Sequence, residues 1–186
     1  MEIVANLRGL LKVIGRKDIS MAVTGKIDRK YMAHYIDAGS LCGGLTPKYE
    51  RLGKDLEEYN VELNPDTETS KNILGESTFK HNGYEVSSDA DPFYADTTSD
   101  LFTALQKIVD GRLKDDNLKT KAVEVHLWTE ATAGKYEAYQ QDCYVVPTSY
   151  GGDTSGYQIP FTVNYTGERV KGKFDISSGT FTADSE

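Results

Sequence analysis

The residues that could carry out acid–base or metal chemistry are few in this chain and are poorly spaced for it. The three histidines, His34, His81 and His126, lie too far apart in sequence to form the helical pair of a metal site. Neither Cys42 nor Cys143 is close to one of them in sequence. The spacing favours structural roles for all five side chains, and it predicts no metal site and no cofactor.

Sequence motifs of catalysis are also missing. The chain contains no Gly-x-Ser-x-Gly sequence, and the glycine-rich residues 151–156 lack the lysine of a phosphate-binding loop. Adjacent carboxylates occur at Glu57-Glu58 and Asp115-Asp116, but neighbouring side chains of a strand point to opposite faces. These pairs are more typical of a solvated surface, and the chain is predicted not to be an enzyme.

Length and charge narrow the class of protein further. With 186 residues, 38% of them hydrophobic, the chain can bury one substantial core. It has no run of about twenty apolar residues, so we expect no membrane-spanning helix and no membrane partner. Acidic residues outnumber basic ones by 29 to 21, which gives a net charge of −8. Such a body repels the DNA backbone, which argues against a DNA-binding protein.

The first twenty residues differ from the rest of the chain. Their apolar side chains recur at helical spacing, and Gly15 would end such a helix. Residues 1–20 are therefore interpreted either as an amphipathic N-terminal extension or as sequence upstream of a true start at Met21. The domain is assigned to residues 21–186.

Most of that domain has the pattern of β-strands. Short aromatic or alternating segments predict strands at 31–36, 56–63, 121–129, 136–146, 158–166, 170–176 and 180–183. A hairpin series is predicted through residues 72–86, with Asn82-Gly83 as its clearest turn, and residues 166–169 are predicted to turn between two later strands. Residues 40–56 are rich in glycine and proline and are predicted to be a long loop.

One helix is predicted, over residues 99–110, because Leu101, Leu105 and Ile108 belong to a continuous apolar stripe. Thr98 or Ser99 can cap its start, and Gly111 can end it in the left-handed conformation. The fold class indicated by these elements is mainly β with one packed α-helix, arranged as an antiparallel β-sandwich or barrel.

Several blocks of the chain resemble a known family. Residues 25–37, 49–60, 72–76, 123–128, 149–161, 165–167 and 170–175 resemble, in order, the major tail tube proteins of siphophages and prophages of Gram-positive bacteria. The resemblance extends over residues 21–186, and the N-terminal segment is the one departure from it.

The resemblance implies a structural virion protein with a tail-tube type of β-sandwich. Such subunits form homo-hexameric rings that stack into a tube, and DNA passes through the lumen during ejection without specific binding. The implied partners are the tape-measure, tail-tip and tail-terminator proteins. The implied location is the virion tail, after assembly in the cytoplasm of the host bacterium.

Two groups of residues are predicted to serve such an assembly. The loops at 40–56 and 64–76 are expected to contact a neighbouring subunit or the next ring. Their candidate contact residues are Gly43, Gly44, Pro47, Tyr49, Arg51, Asn64, Pro65 and Asp66.

Within residues 56–63, period-two alternation places Tyr59, Val61 and Leu63 on a core face and Glu58, Asn60 and Glu62 on the opposite face. These last three residues are candidates to line the lumen, with a solvated outer face as the alternative.

A different class of function is left open by the sequence. The same β fold could be a tail-tip or surface β-sandwich binding module that recognises a carbohydrate or a receptor. That alternative requires a concave, exposed aromatic patch on a monomer.

Overall fold

The computed structural model describes residues 25–184 except residues 55, 57 and 133. Within this part of the chain one α-helix, α1, spans Asp100–Gly111, and short 3-10 helices span Arg29–Tyr31, Ala38–Gly43 and Asp115–Leu118. The strands are β1 Met32–Asp37, β2 Tyr49–Leu52, β3 Pro65–Lys71, β4 Ser77–Tyr84, β5 Ser87–Ala90, β6 Lys119–Thr132, β7 Lys135–Pro147, β8 Gly151–Asp153, β9 Gly156–Gln158, β10 Phe161–Asp175 and β11 Thr180–Ala183.

One seven-stranded antiparallel sheet forms the body of the subunit. Its strands lie in the order β11-β10-β7-β6-β1-β2, and β5 pairs with the first part of β10. Two further pairs, β3 with β4 and β8 with β9, stand outside this sheet. The long strands β6, β7 and β10 form its centre, and β6 and β7 are consecutive strands of one hairpin.

Both faces of the sheet bury apolar side chains, because alternate residues of a strand point to opposite faces. The first core lies between one face and α1 and includes Ile36, Leu105, Ala122, Val145 and Phe161. The second core lies on the other face and consists of Ala33, Tyr35, Val123, Val125, Ala138 and Phe174.

The sheet curls around the second core. Tyr49 on β2 meets Phe174 on β10 edge to face, with ring centroids 5.7 Å apart, although three strands lie between β2 and β10 in the sheet. This contact across the concave side gives the sheet the form of a half-barrel. The prediction of a mainly antiparallel β fold with one packed helix is confirmed.

Helix α1 begins where its sequence predicts. The Phe102 N–H donates to the Ser99 side-chain oxygen at 2.9 Å, so Ser99 is the N-cap. Glu50 of β2 adds its carboxylate to the same helix end, where it accepts from the Ser99 hydroxyl and from the Leu101 N–H. Leu101 and Leu105 are fully buried, which fixes the helix on the first core.

The end of α1 differs from the prediction. Arg112, with φ 46°, adopts the left-handed conformation that was predicted for Gly111. Gly111 is instead the last residue of the helix. A Cβ atom at this position would lie 3.0 Å from the side chain of Leu113, so the glycine leaves room for Leu113 to fold back over the helix end.

The predicted long loop at residues 40–56 is wrong in part. Residues Tyr49–Leu52 form β2, which pairs with β1 from His34 to Asp37. Leu52 is buried in the first core and Tyr49 packs against the second. The glycines and proline mark only the turn before this strand, whereas pairing with β1 makes residues 49–52 extended.

The predicted strand at residues 56–63 is also wrong. The described residues of this segment make a single β-bridge, between Glu62 and Ser87. Tyr59 is buried as expected, but Leu63 is 54% exposed. Side-chain hydrogen bonds hold Tyr59, instead of the backbone hydrogen bonds of a β-sheet. The Tyr59 hydroxyl accepts from the Ser88 hydroxyl at 2.6 Å and lies 3.3 Å from the Tyr165 hydroxyl.

Two predicted turns are wrong. Asn82-Gly83 sits inside β4, where β4 has one more residue than β3 opposite Asp66 and Thr67, and the chain reverses at residues 72–75. Residues 166–169 form no hairpin, because β10 runs through them as one strand and pairs with β7 on both sides of a register shift. The partner strand continues past the shift, so the extra residues are accommodated as a bulge.

The predicted N-terminal extension, residues 1–20, lies outside the described residues. In the part of the chain that the structure describes, no helix has the length and apolar character needed to cross a membrane.

His34 makes the stability of this fold depend on pH. Burial lowers its pKa from 6.5 to about 4, despite the opposing effect of Glu124, while the charges of Arg29, His126 and Arg169 lower it further. At pH values between about 4 and 6.5, the unfolded chain binds a proton at His34 and the folded chain does not. Stability therefore falls as the pH drops through this window, by about 3 kcal/mol in total.

Urea denaturation at a series of pH values checks this expectation. A His34→Gln variant should lose less stability than the original chain between pH 7 and pH 4, because glutamine does not titrate. Equal slopes for the two proteins would contradict the burial of a neutral histidine.

Candidate assembly interface

The most prominent surface feature is a two-stranded arm formed by β3 and β4. Within residues 25–184 as described, the two strands pair only with each other, and all their residues are exposed except the half-buried Gly83. At about 3.3 Å per residue, the seven residues of β3 reach roughly 23 Å. An isolated hairpin of this kind is at best marginally stable in water, so the arm is suited to being covered by another molecule.

The tip of the arm is rigid although it is exposed. The Asn72 side-chain oxygen accepts from the N–H groups of Leu74 and Glu76, both at 3.0 Å, and its amide nitrogen donates to the Glu76 carboxylate. Gly75 closes the turn with φ 81°. One asparagine side chain thus holds both sides of the turn, and the loop is fixed before any partner binds.

This rigid turn presents apolar side chains to water. Ile73 is 103% exposed and Leu74 is 77% exposed, and Phe79 on β4 is 66% exposed. Tyr84, near the root, meets the His81 ring at a steep angle of 62°, with ring centroids 4.6 Å apart. Exposed apolar side chains on a projecting element are typical of a protein–protein contact surface.

The root of the arm is tied to the sheet. Asn64 takes the left-handed conformation at φ 42°, and its amide nitrogen donates to the Glu85 carbonyl and the Ser87 hydroxyl, both at 3.0 Å. The bridge between Glu62 and Ser87 continues this attachment into β5. The arm is therefore carried by the body in a defined direction.

The body also has two open sheet edges. Among the described residues, β2 pairs only with β1 and β11 pairs only with β10. An open edge exposes unpaired backbone groups that can pair with another chain. In a cyclic assembly, such edges of adjacent subunits can satisfy each other.

The predicted contact residues lie at three places in this structure. Gly43, Gly44 and Pro47 are exposed in the turn before β2, and Asn64, Pro65 and Asp66 form the exposed root of the arm. Arg51 is exposed on the open edge. Tyr49 does not lie in a loop: its ring packs in the second core, and its hydroxyl accepts from the Gln140 amide at 2.6 Å.

The lumen candidates Glu58, Asn60 and Glu62 lie on the segment that leads into the arm. The Asn60 amide donates a hydrogen bond to the Glu58 carboxylate. All three side chains are exposed. Whether this surface faces a lumen stays a prediction, since a single subunit presents it only to solvent.

The predicted contact segment 64–76 includes the tip residues Ile73 and Leu74, although they were not among its named candidates. Most of this segment is strand β3 and not a loop. The available signal was an aliphatic pair between two polar strand segments, immediately followed by Gly75. This pattern is typical of a turn that exposes apolar groups.

The cysteines and Glu124, elsewhere on the body, are held by burial or by hydrogen bonds to neighbouring side chains. Burial raises the pKa of the Cys143 thiol to about 12 and also raises that of Cys42, so both stay protonated at neutral pH. Glu124 accepts from His126 at 2.7 Å and from Arg169 at 2.6 Å. Burial would raise the pKa of Glu124, but these two partners lower it. Within the described residues, no group of three or more His, Cys, Asp or Glu side chains is arranged to hold a metal ion.

Comparison with known proteins adds little to this description. No family model matches the chain, and no curated protein matches its sequence. Among solved structures, the chain is similar to the "PVC sheath/tube terminator in extended state" of an extracellular contractile injection system. The TM-score is 0.46 at 9% identity, over 81% of this chain and 99% of the other. A likeness at this level assigns neither a family nor a function.

Proposed function

We propose that this chain is a structural subunit of a phage or prophage tail tube, which forms hexameric rings that stack into the conduit for DNA ejection. The observation that carries the proposal is the arm: a rigid, exposed, apolar-tipped hairpin fixed to the body by Asn64. An element of this kind is costly to a monomer, because it exposes apolar surface without contributing to either core.

The open edges of β2 and β11 support the ring. They lie at opposite ends of the sheet order, so one subunit can present β11 to β2 of the next. Repeated around an axis, this pairing joins the half-barrels and pairs these two edges. Hexameric stoichiometry and the tape-measure, tail-tip and tail-terminator partners are taken from the family resemblance, as are the virion location and the assembly in the host cytoplasm.

The charge of the chain suits passage of DNA. In this proposal Glu58, Asn60 and Glu62 line the lumen, and each ring repeats the carboxylates of Glu58 and Glu62 symmetrically. Like charges repel the phosphate backbone, so DNA passes without being held. Retention of double-stranded DNA by purified tubes at low salt would contradict this assignment.

Self-assembly tests the proposal. The purified full-length protein is expected to show a molar mass that rises with concentration in light scattering, and electron micrographs of the same samples should contain rings and tubes. A strict monomer at every concentration would overturn the proposal. If that monomer also bound glycans on an array, the protein would instead be a carbohydrate- or receptor-recognising module.

A further inference from the structure

We propose that the tip of the arm docks into an apolar groove at the C-terminal end of α1 in the next copy of the chain. This inference rests on the proposed function, and it names the surface on the neighbour that receives the arm. The occupant of the groove is thus a second copy of this chain, through its residues Ile73 and Leu74.

The groove has a volume of about 460 Å³ and lies between α1 and the end of β7. Its apolar lining consists of Ile108, Val109, Leu113, Leu118, Val146 and Pro147. The last four are only partly buried in the isolated subunit, so part of their apolar surface faces solvent. Burial of such surface against the aliphatic tip would favour association.

The walls of the groove are fixed. The Leu113 N–H donates to the Ile108 carbonyl at 3.0 Å, which holds the chain against the end of the helix. The Arg112 guanidinium donates to the Tyr150 hydroxyl at 3.0 Å and lies 5.1 Å from the centre of its ring, which links the helix end to the chain after β7. Because tip and groove are both formed in advance, docking orders few side chains.

The charges beside the two surfaces are complementary. The exposed side chains of Lys71 and Glu76 flank the tip. Exposed Arg112 lies on one side of the groove, and exposed Asp115 and Asp116 follow it in the next 3-10 helix. A docked tip can therefore place Lys71 near Asp115 and Asp116 and Glu76 near Arg112. This pairing of opposite charges selects one orientation of the tip in the groove.

The two surfaces are separate on the subunit. Strand β5 is antiparallel to β10, with Ser87 opposite Asn164 and Ala90 opposite Phe161. The arm joins β5 at its Ser87 end, and the groove lies beyond Ala90, where Pro147 pairs with Phe161. A contact between two different surfaces of identical subunits is heterologous, and it can repeat along an axis as stacked rings require.

Other clefts match the tip less well. A cleft beside β1 and β2 is lined by the basic side chains Arg29, Lys30, Arg51 and Lys54, which do not suit two aliphatic groups. Another is bordered by Leu63 and Tyr84 at the root of the chain's own arm. The groove at the end of α1 combines an apolar lining with residues that belong neither to the arm nor to its root.

Disulfide trapping tests the docking. The full-length variant Cys42→Ser, Ile73→Cys, Leu118→Cys is incubated at an assembling concentration with diamide as the oxidant, and the products are separated on a non-reducing gel. We expect a ladder of covalent multimers, because each copy offers one cysteine to each neighbour. The single-cysteine variants can give dimers at most. A control with Thr97→Cys in place of Leu118→Cys puts the second thiol at the other end of α1 and should give no ladder.

The outcomes separate this inference from the proposed function. Tubes without a ladder would overturn the docking site and leave the tube proposal standing. A ladder without tubes would support the docking and overturn the tube. Absence of both would overturn both. An independent readout comes from Ile73→Asp with Leu74→Asp, which alters only exposed turn residues and should retain the fold. Tubes of normal length in that variant would also overturn the docking.

Discussion

Removal of the arm is expected to leave a folded subunit that no longer forms tubes. Asp66 and Gly83 are paired across the root, so residues 66–83 can be replaced by a short Asn-Gly turn between Pro65 and Tyr84. No arm residue belongs to either core, and the exposed tip cannot contribute to packing within one subunit. The melting temperature should therefore change little while all stacking is lost.

Circular dichroism and sedimentation velocity measure the two effects on the same sample. The matched control keeps the arm and replaces Glu68 and Lys80, which face each other across it, with alanine. We expect this control to assemble, since the tip is intact. Tubes of normal length from the armless variant would show that stacking uses a different surface.

Replacing Leu105 with aspartate is expected to unfold the protein. Leu105 is 0% exposed and lies in the first core, between α1 and the sheet. The substitution both removes an apolar side chain and places a carboxylate where no partner is present. The expected loss is about 4 kcal/mol or more, a large part of the stability of a domain of this size.

Urea denaturation followed by near-ultraviolet circular dichroism measures this loss. Lys107→Asp is the matched control, because it places the same side chain on an exposed position of the same helix. The control should stay within about 1 kcal/mol of the original chain. An unchanged denaturation midpoint for Leu105→Asp would mean that α1 does not pack on the sheet in solution.

Several elements can be predicted from local sequence alone. Helix α1 was predictable because its apolar stripe and its Ser99 cap lie within one segment, and neither needs a distant partner. The strands β6, β7 and β11 were predictable for the same reason. Their alternation, turns and β-branched residues act over a few positions. The mainly antiparallel fold class is a consequence of these strands and their spacing.

The root of the arm could be located from sequence in part. Asn64-Pro65-Asp66 was predicted as a contact site from its turn-forming residues, and Asn64 does take a left-handed conformation there. The aliphatic tip lies within the predicted contact segment 64–76, but its two residues were not singled out, because exposure is a tertiary property. Ile73 and Leu74 would be read as strand or core residues until the pairing of β3 with β4 places them at the turn.

Tertiary structure alone decided the remaining features. Residues 56–63 alternate like a strand, but the hydroxyl groups of Ser88 and Tyr165 hold Tyr59, and neither is close in sequence. The sequence around Gly167 is typical of a hairpin turn. Strand β7 pairs with β10 on both sides of this glycine, however, so the residues form a bulge within one long strand. Local sequence determines which conformations a segment can adopt at low cost. Hydrogen bonds and apolar contacts from distant segments then select one of them, because their combined free energy exceeds the small local preferences.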